Sequence, residues 1–224
     1  MALDRIHLHK LLKFMMLPER RRLSEIRKEI RQDMRRERYV ESSGGGDFYV
    51  AFWADARAHV FGTSDLTDSV RNRIALSAQR RNLYPRLRDG FLQWWNERRR
   101  WTNEPFQPGH RLQGRMELAD LGATVKVDAV LSVRDAQGVE HFVYPYFYPE
   151  PIVDEETARI GLWVLRRVLT AAPAEEIRIL DIIRGQTFSI DRYPLQGNEE
   201  ALFLSRYAAL LVDRDIIQSE IDNE

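Results

Sequence analysis

The sequence predicts an α+β fold, with an N-terminal helical region followed by a helix-flanked mixed sheet. Three observations support this. Apolar residues recur every three to four positions as far as residue 100, the spacing of one helix face, and then alternate over 123–134 with the period of a strand. Pro105 and Pro108 mark the change of period. The net charge of zero hides a division at nearly the same place: residues 1–115 carry 24 Lys and Arg against 14 Asp and Glu, and residues 116–224 carry 10 against 20.

Residues 2–17 read as a short helix ended by Pro18, and 19–38 as a second. The second places Leu23, Ile26, Ile30 and Met34 on one face and charge on the rest. So thin a stripe must pack on the body, pair with another chain or stay mobile. Ser42-Ser43-Gly44-Gly45-Gly46 reads as a flexible hinge. Asp47 caps a helix with Phe48, Phe52, Asp55 and His59 on one side, a strand being the alternative. Ser64 and Asp65 open a helix over 65–79. Pro85 marks another over 85–100, with Leu87, Phe91 and Trp95 four apart.

Two strands follow, 110–121 and 123–134, joined near Gly122. In the second, Val125, Val127, Ala129, Leu131 and Val133 share one face, and Lys126, Asp128 and Ser132 the other. A turn over 135–138 leads to a third strand, 139–148. Pro151 and Asp154 start a helix whose first turn holds Glu155 and Glu156, where the helix dipole favours acids. A strand over 177–184, a turn at Gly185 and a helix over 199–216 complete an α-β-β-β-α-β-α order. The expected organisation is 1–41 as charged N-terminal helices, 42–46 as hinge, 47–104 as a helical layer and 105–224 as the sheet-bearing core, with 47–224 one compact domain.

Composition narrows the chemistry. With 224 residues and 44% hydrophobic content the chain can bury a sizeable core. No cysteine is present, which excludes disulfides, thiolate metal sites and a thiol nucleophile, and fits a reducing, cytoplasmic setting. No apolar run approaches the roughly 20 residues that span a bilayer, so no membrane partner is expected. The apolar N-terminus is interrupted by Asp4, Arg5, His7, His9, Lys10 and Lys13, unlike a signal peptide. Walker A, GxGxxG, HExxH and GxSxG motifs do not occur.

Helix, three antiparallel strands, helix and strand over 85–190 is an order that resembles the PD-(D/E)xK, restriction-endonuclease-like family. In that family an acid near the second strand and an Asp/Glu-x-Lys on the third hold Mg²⁺ against a phosphodiester. The resemblance implies Asp128, in Val125-Lys126-Val127-Asp128-Ala129-Val130, as the first acid. The third strand departs from the pattern, with Tyr144-Pro145-Tyr146 where the motif would stand, and no lysine follows residue 126. The helix from Glu156 to Trp163 is similar to that of RecB-like members, without their glutamine. A divergent nuclease would need Asp128, a migrated Lys126, a second carboxylate from Glu117 or Glu140, and Mg²⁺. Otherwise Asp128 and Lys126 form an exposed pair worth roughly 0–1 kcal/mol, and no cofactor is expected.

Two aromatic groups suggest anionic contacts. Trp94, Trp95, Arg98, Arg99, Arg100 and Trp101 combine phosphate-pairing guanidiniums with stacking surface. The competing expectation places the tryptophans in the core and the arginines against the acidic half. Tyr144, Tyr146 and Tyr148 share a strand face with Phe142 and would either stack bases or lie buried under a helix. Asp55 and His59 would meet on one helix face as a hydrogen-bonded pair. His110 and His141 are further ligand candidates by element alone, and His7 and His9 read as ordinary surface residues.

The expected function is therefore a non-catalytic binding module, nucleic-acid-associated, with DNA or RNA as partner. The alternatives are a structural, homo-oligomeric protein paired through Leu23, Ile26, Ile30 and Met34, and the divergent nuclease.

Overall fold

The computed structural model describes residues 3–38 and 48–223. The Ser/Gly hinge and the cap at Asp47 lie outside the described residues. The chain opens on strand β1 (Arg5–His7) and passes directly into helix α1 (Leu8–Met16). The N-terminal segment is therefore not helical from its start. Its first residues are extended because β1 pairs in parallel with β4 (Ala123–Val127), setting Ile6 beside Val125 in the core. Helices α2 (Glu19–Arg38), α3 (Phe48–Val60), α4 (Leu66–Leu76) and α5 (Tyr84–Gln93) follow. The Asp65 carboxylate accepts the Asp68 N–H at 2.9 Å and caps α4 as expected. Helix α5 widens into a π turn over Trp94–Arg98, closed by the Arg99 N–H on the Trp94 carbonyl at 2.7 Å.

Two mixed sheets carry the second half. One has the order β1-β4-β3, with β3 spanning Gly114–Leu118. The other has the order β2-β5-β6-β7-β8, from Gln107–Pro108, Leu131–Arg134, Glu140–Tyr146, Ile177–Asp181 and Gln186–Ser189. Strands β5 and β6 are antiparallel. Helix α6 (Glu155–Val168) crosses over to make β6 and β7 parallel, and β8 returns as a hairpin. Helix α7 (Glu199–Asp222) ends the described chain.

The five-stranded sheet separates two cores. On one side α1, α6 and α7 cover Phe142, Tyr144, Tyr146, Ile177 and Ile179. On the other, α3, α4 and α5 cover Leu131, Val133, Val143 and Leu180. Alternation along β6 serves both faces at once. Pro145 lies beyond the end of β5, which starts opposite Val143, so β6 is paired there on one side only.

The strand expected over 123–134 divides. Strand β4 belongs to one sheet and β5 to the other, and 128–130 bridge them. Ala129 takes φ 61° at the switch, a left-handed conformation that costs an L-residue roughly 1–2 kcal/mol. The indole N–H of Trp53 holds the Ala129 carbonyl at 2.6 Å, and Arg57 donates to the Val130 carbonyl. The apolar alternation runs through the break without interruption because both strands face buried cores, so it carries no sign of the change of sheet.

The N-terminal helices are built into this body. Leu8, Leu11, Leu12 and Phe14 are fully buried. Helix α2 lies parallel to α7, tied by Arg22 to Asp213 at 2.6 Å and by Arg27 to Glu220. Ile26 is fully buried, and Leu23 and Ile30 pack against the same core. The apolar stripe once open to another chain is thus largely covered by this one. Among the described residues, no helix is long and apolar enough to cross a membrane.

Candidate anion-binding face

Strands β1, β4 and β3 turn Ile6, Val125 and Met116 inward, so their alternate residues form an outer face. Register sets His7, Lys126 and Arg115 directly across from one another in one row, and Arg5, Thr124 and Glu117 in the next. Like charges directly opposite in a sheet are unfavourable. Yet the side chains of Arg5, Arg115 and Lys126 make no hydrogen bond or ion pair with another described residue.

Asp128 closes one end of the row. Its carboxylate lies 2.8 Å from His7 Nδ1. Burial pulls the Asp128 carboxyl upward, but the hydrogen bond to His7 and the charge of His7 prevail and hold it below the ordinary carboxylate value. Beyond it stands Arg57, lowered first by burial and then by repulsion from Arg111, with Asp128 opposing. Arg57 Nε is buried with no partner among the described residues. Arg111 likewise makes no side-chain bond to another described residue. The face thus gathers Arg5, Arg115 and Lys126 as cations without a side-chain partner among the described residues, and Arg111 lies near Arg57 outside the paired strands.

Beneath it, His9 is held apolar-side in. Its N–H donates to the Tyr144 hydroxyl at 2.9 Å, and its Nδ1 lies 3.1 Å from the Tyr148 hydroxyl. Burial above all, with help from His7 and Lys10, lowers its pKa to about 3, so the ring is neutral near pH 7. The sequence alone makes both histidines ordinary surface residues. Only the pairing of β1 with β4, at a separation of over a hundred residues, brings them to Asp128, and no local motif signals it.

The other predicted positions lie elsewhere. Tyr144 and Tyr146 are buried, their hydroxyls bonded to the His9 N–H and the Pro151 carbonyl, so neither offers a face to a base. Trp94 and Trp101 are also buried, in the helical-side core. Arg98 donates to the Arg184 carbonyl at 2.8 Å, and Arg100 meets Asp191 at 2.9 Å. Arg99 pairs with Glu104 at 2.5 Å and lies 4.0 Å from the Trp95 ring centre and 4.5 Å from that of Phe106. Packing therefore buries the tryptophans and largely covers Arg99, while Arg98 and Arg100 stay exposed with a carbonyl and a carboxylate as partners.

The carboxylates expected around Asp128 are not beside it. Glu117 pairs in register with Thr124, three pairs before the end of β4. Glu140 sits opposite Arg134 at the far end of β5, where it binds Arg134 at 2.7 Å and His110. Among the described residues, no group of three His, Cys, Asp or Glu could hold a metal ion. Asp55 takes Arg73 in a two-point pair at 2.9 and 3.0 Å, and His59 accepts the Leu66 N–H, so these two do not form the expected pair. His141 lies between Glu176, at 2.5 Å, and Asp135, stacked on Trp101 at 4.3 Å. As for self-association, Met34 is partly buried, and the large apolar residues exposed on a helix near α2 are instead Leu204, Val212 and Ile216 of α7.

No family model, curated protein or solved structure matches the chain.

Proposed function

We propose that the chain is a non-catalytic module that binds nucleic acid on the outer face of β1-β4-β3. The observation that carries this reading is the opposed pair Lys126 and Arg115, whose side chains have no partner among the described residues, with Arg5 in the next row. Lys126 and Arg115 repel one another across adjacent strands, and a phosphate seated between them converts that repulsion into two attractions. Proteins rich in such contacts bind nucleic acid through counterion release, with little dependence on sequence.

The order β5-β6-α6-β7 supports a degenerate nuclease-like scaffold, with Asp128 at the head of β5 and Tyr144-Pro145-Tyr146 in the motif's place. What stands at Asp128 is a histidine rather than a second acid. That partner favours binding over metal-assisted hydrolysis.

Fluorescence anisotropy with labelled oligonucleotides tests the proposal. Affinity should fall steeply as salt rises. Replacing Arg115 and Lys126 together by Glu should weaken binding by at least ~10-fold, while Arg98→Ala and Arg100→Ala should change it by less than about twofold. Binding that ignores salt, or that is lost in the Arg98 and Arg100 variants instead, rejects this face.

A further inference from the structure

Resting on that reading, we infer that the ligand of this face is duplex rather than single-stranded nucleic acid. Single strands are held by two features together, a basic track for the backbone and aromatic platforms for the bases. The outer face of β1-β4-β3 has only the first. Its described positions are Arg5, His7, Thr124, Lys126, Arg115 and Glu117, with no Phe, Tyr or Trp among them. The one ring present, His7, is stacked on His9 at 5.8 Å and tied to Asp128, so it is not free to receive a base.

The aromatic residues that could have served are committed elsewhere. Tyr144, Tyr146, Trp94 and Trp101 are buried. Without stacking, affinity rests on charge alone, and charge density then decides between ligands. A duplex presents about one charge per 1.7 Å of its axis, and releases about 0.9 counterion per phosphate contacted against about 0.7 for a single strand. Lys126 and Arg115 also lie directly opposite one another in a row across the sheet, with His7 beside Lys126 and Arg5 in the next row. His7, Lys126 and Arg115 occupy adjacent strands about 4.8 Å apart, so the row is some 10 Å long. A stiff backbone can lie along it without paying the ordering entropy that a flexible single strand would lose. Asp128 and Glu117 bound the cations on either side and confine phosphates to this lane.

The experiment is a salt titration of the full chain against one DNA sequence, presented as a single strand and as its duplex. The duplex should bind at least ~10-fold more tightly. With three cations on the face that lack a partner among the described residues, its slope of log K against log salt should be about −2.7. Arg115→Gln with Lys126→Gln should reduce the slope to about −0.9 and remove the preference. If the single strand binds as tightly as the duplex or more so, the inference fails while the proposed function stands. If neither binds, the proposed function fails with it. A duplex preference unchanged in the double variant assigns binding to another surface and overturns both.

Discussion

Two regions of the molecule hold similar cations and treat them in opposite ways. In the segment from Trp94 to Trp101, the arginines are contiguous in sequence, and each of Arg98, Arg99 and Arg100 has found a carbonyl or carboxylate. On the outer face of β1-β4-β3, Arg5, Arg115 and Lys126 come from three separate strands and their side chains remain without a described partner. The dense run is partnered within the fold, although Arg98 and Arg100 remain exposed, and the dispersed set is not. A cation contributes to ligand binding only after its internal partners are counted, and those partners are chosen by tertiary packing.

The largest effect that sharpens this contrast is on the packed side. Trp94 is 1% exposed and contacts Phe91, Trp95 and Trp101 edge-on or tilted. Trp94→Ala should cost roughly 3–5 kcal/mol in urea unfolding. Nucleic-acid affinity per folded molecule should be unchanged. A variant of near-normal stability with lost affinity would reverse the assignment of the two regions.

The second effect lies beneath the open face. His9 is neutral in the fold, with a pKa of about 3, but takes up a proton below about 6.5 when the chain unfolds. The unfolded state then binds the extra proton, so stability is lost as pH falls from about 6.5 towards 3, at up to roughly 1.4 kcal/mol per pH unit. Asp128, held below its ordinary value, contributes in the same sense at more acidic pH, its share reduced by exposure to solvent. Comparison with His9→Gln isolates the histidine. Chemical denaturation of that variant between pH 7 and pH 4 should show a flatter loss, and parallel curves would show that His9 is not buried neutral.

Much of the framework was legible in the chain because it rests on local physics. The caps at Asp65 and Asp154, the periodic faces of α5 and α6 and the alternation of β6 are short-range features. Packing, rather than local pattern, decided the rest. The break between β4 and β5 is hidden because Val127 and Leu131 are buried in different cores, so both sides of the break read as apolar. Strand β1 is too short to register as alternation and exists through its pairing with β4. Asp128 was legible as a position of interest through its place on a strand. Its partner His7 was not, because a contact across so many residues leaves no spacing to read.

The smallest effects test the comparison most directly, because they use one substitution in both places. Arg99 lies within reach of two aromatic rings and a carboxylate, with its side chain largely covered. Its truncation removes a cation–π contact, an ion pair and buried methylenes, and Arg99→Ala should cost about 1–2 kcal/mol. Arg115 is exposed and directly opposite Lys126. Removing it deletes a repulsion and no described attraction, so Arg115→Ala should leave stability unchanged or raise it by about 0.2–0.5 kcal/mol. Raising salt screens that repulsion and should shrink the gain, while the loss at Arg99 persists because its charge is covered. Thermal unfolding of both variants at low and high ionic strength distinguishes the cases. A salt-independent loss at Arg115 would mean that this arginine, like those near Trp94, is held by the fold and is not free for a phosphate.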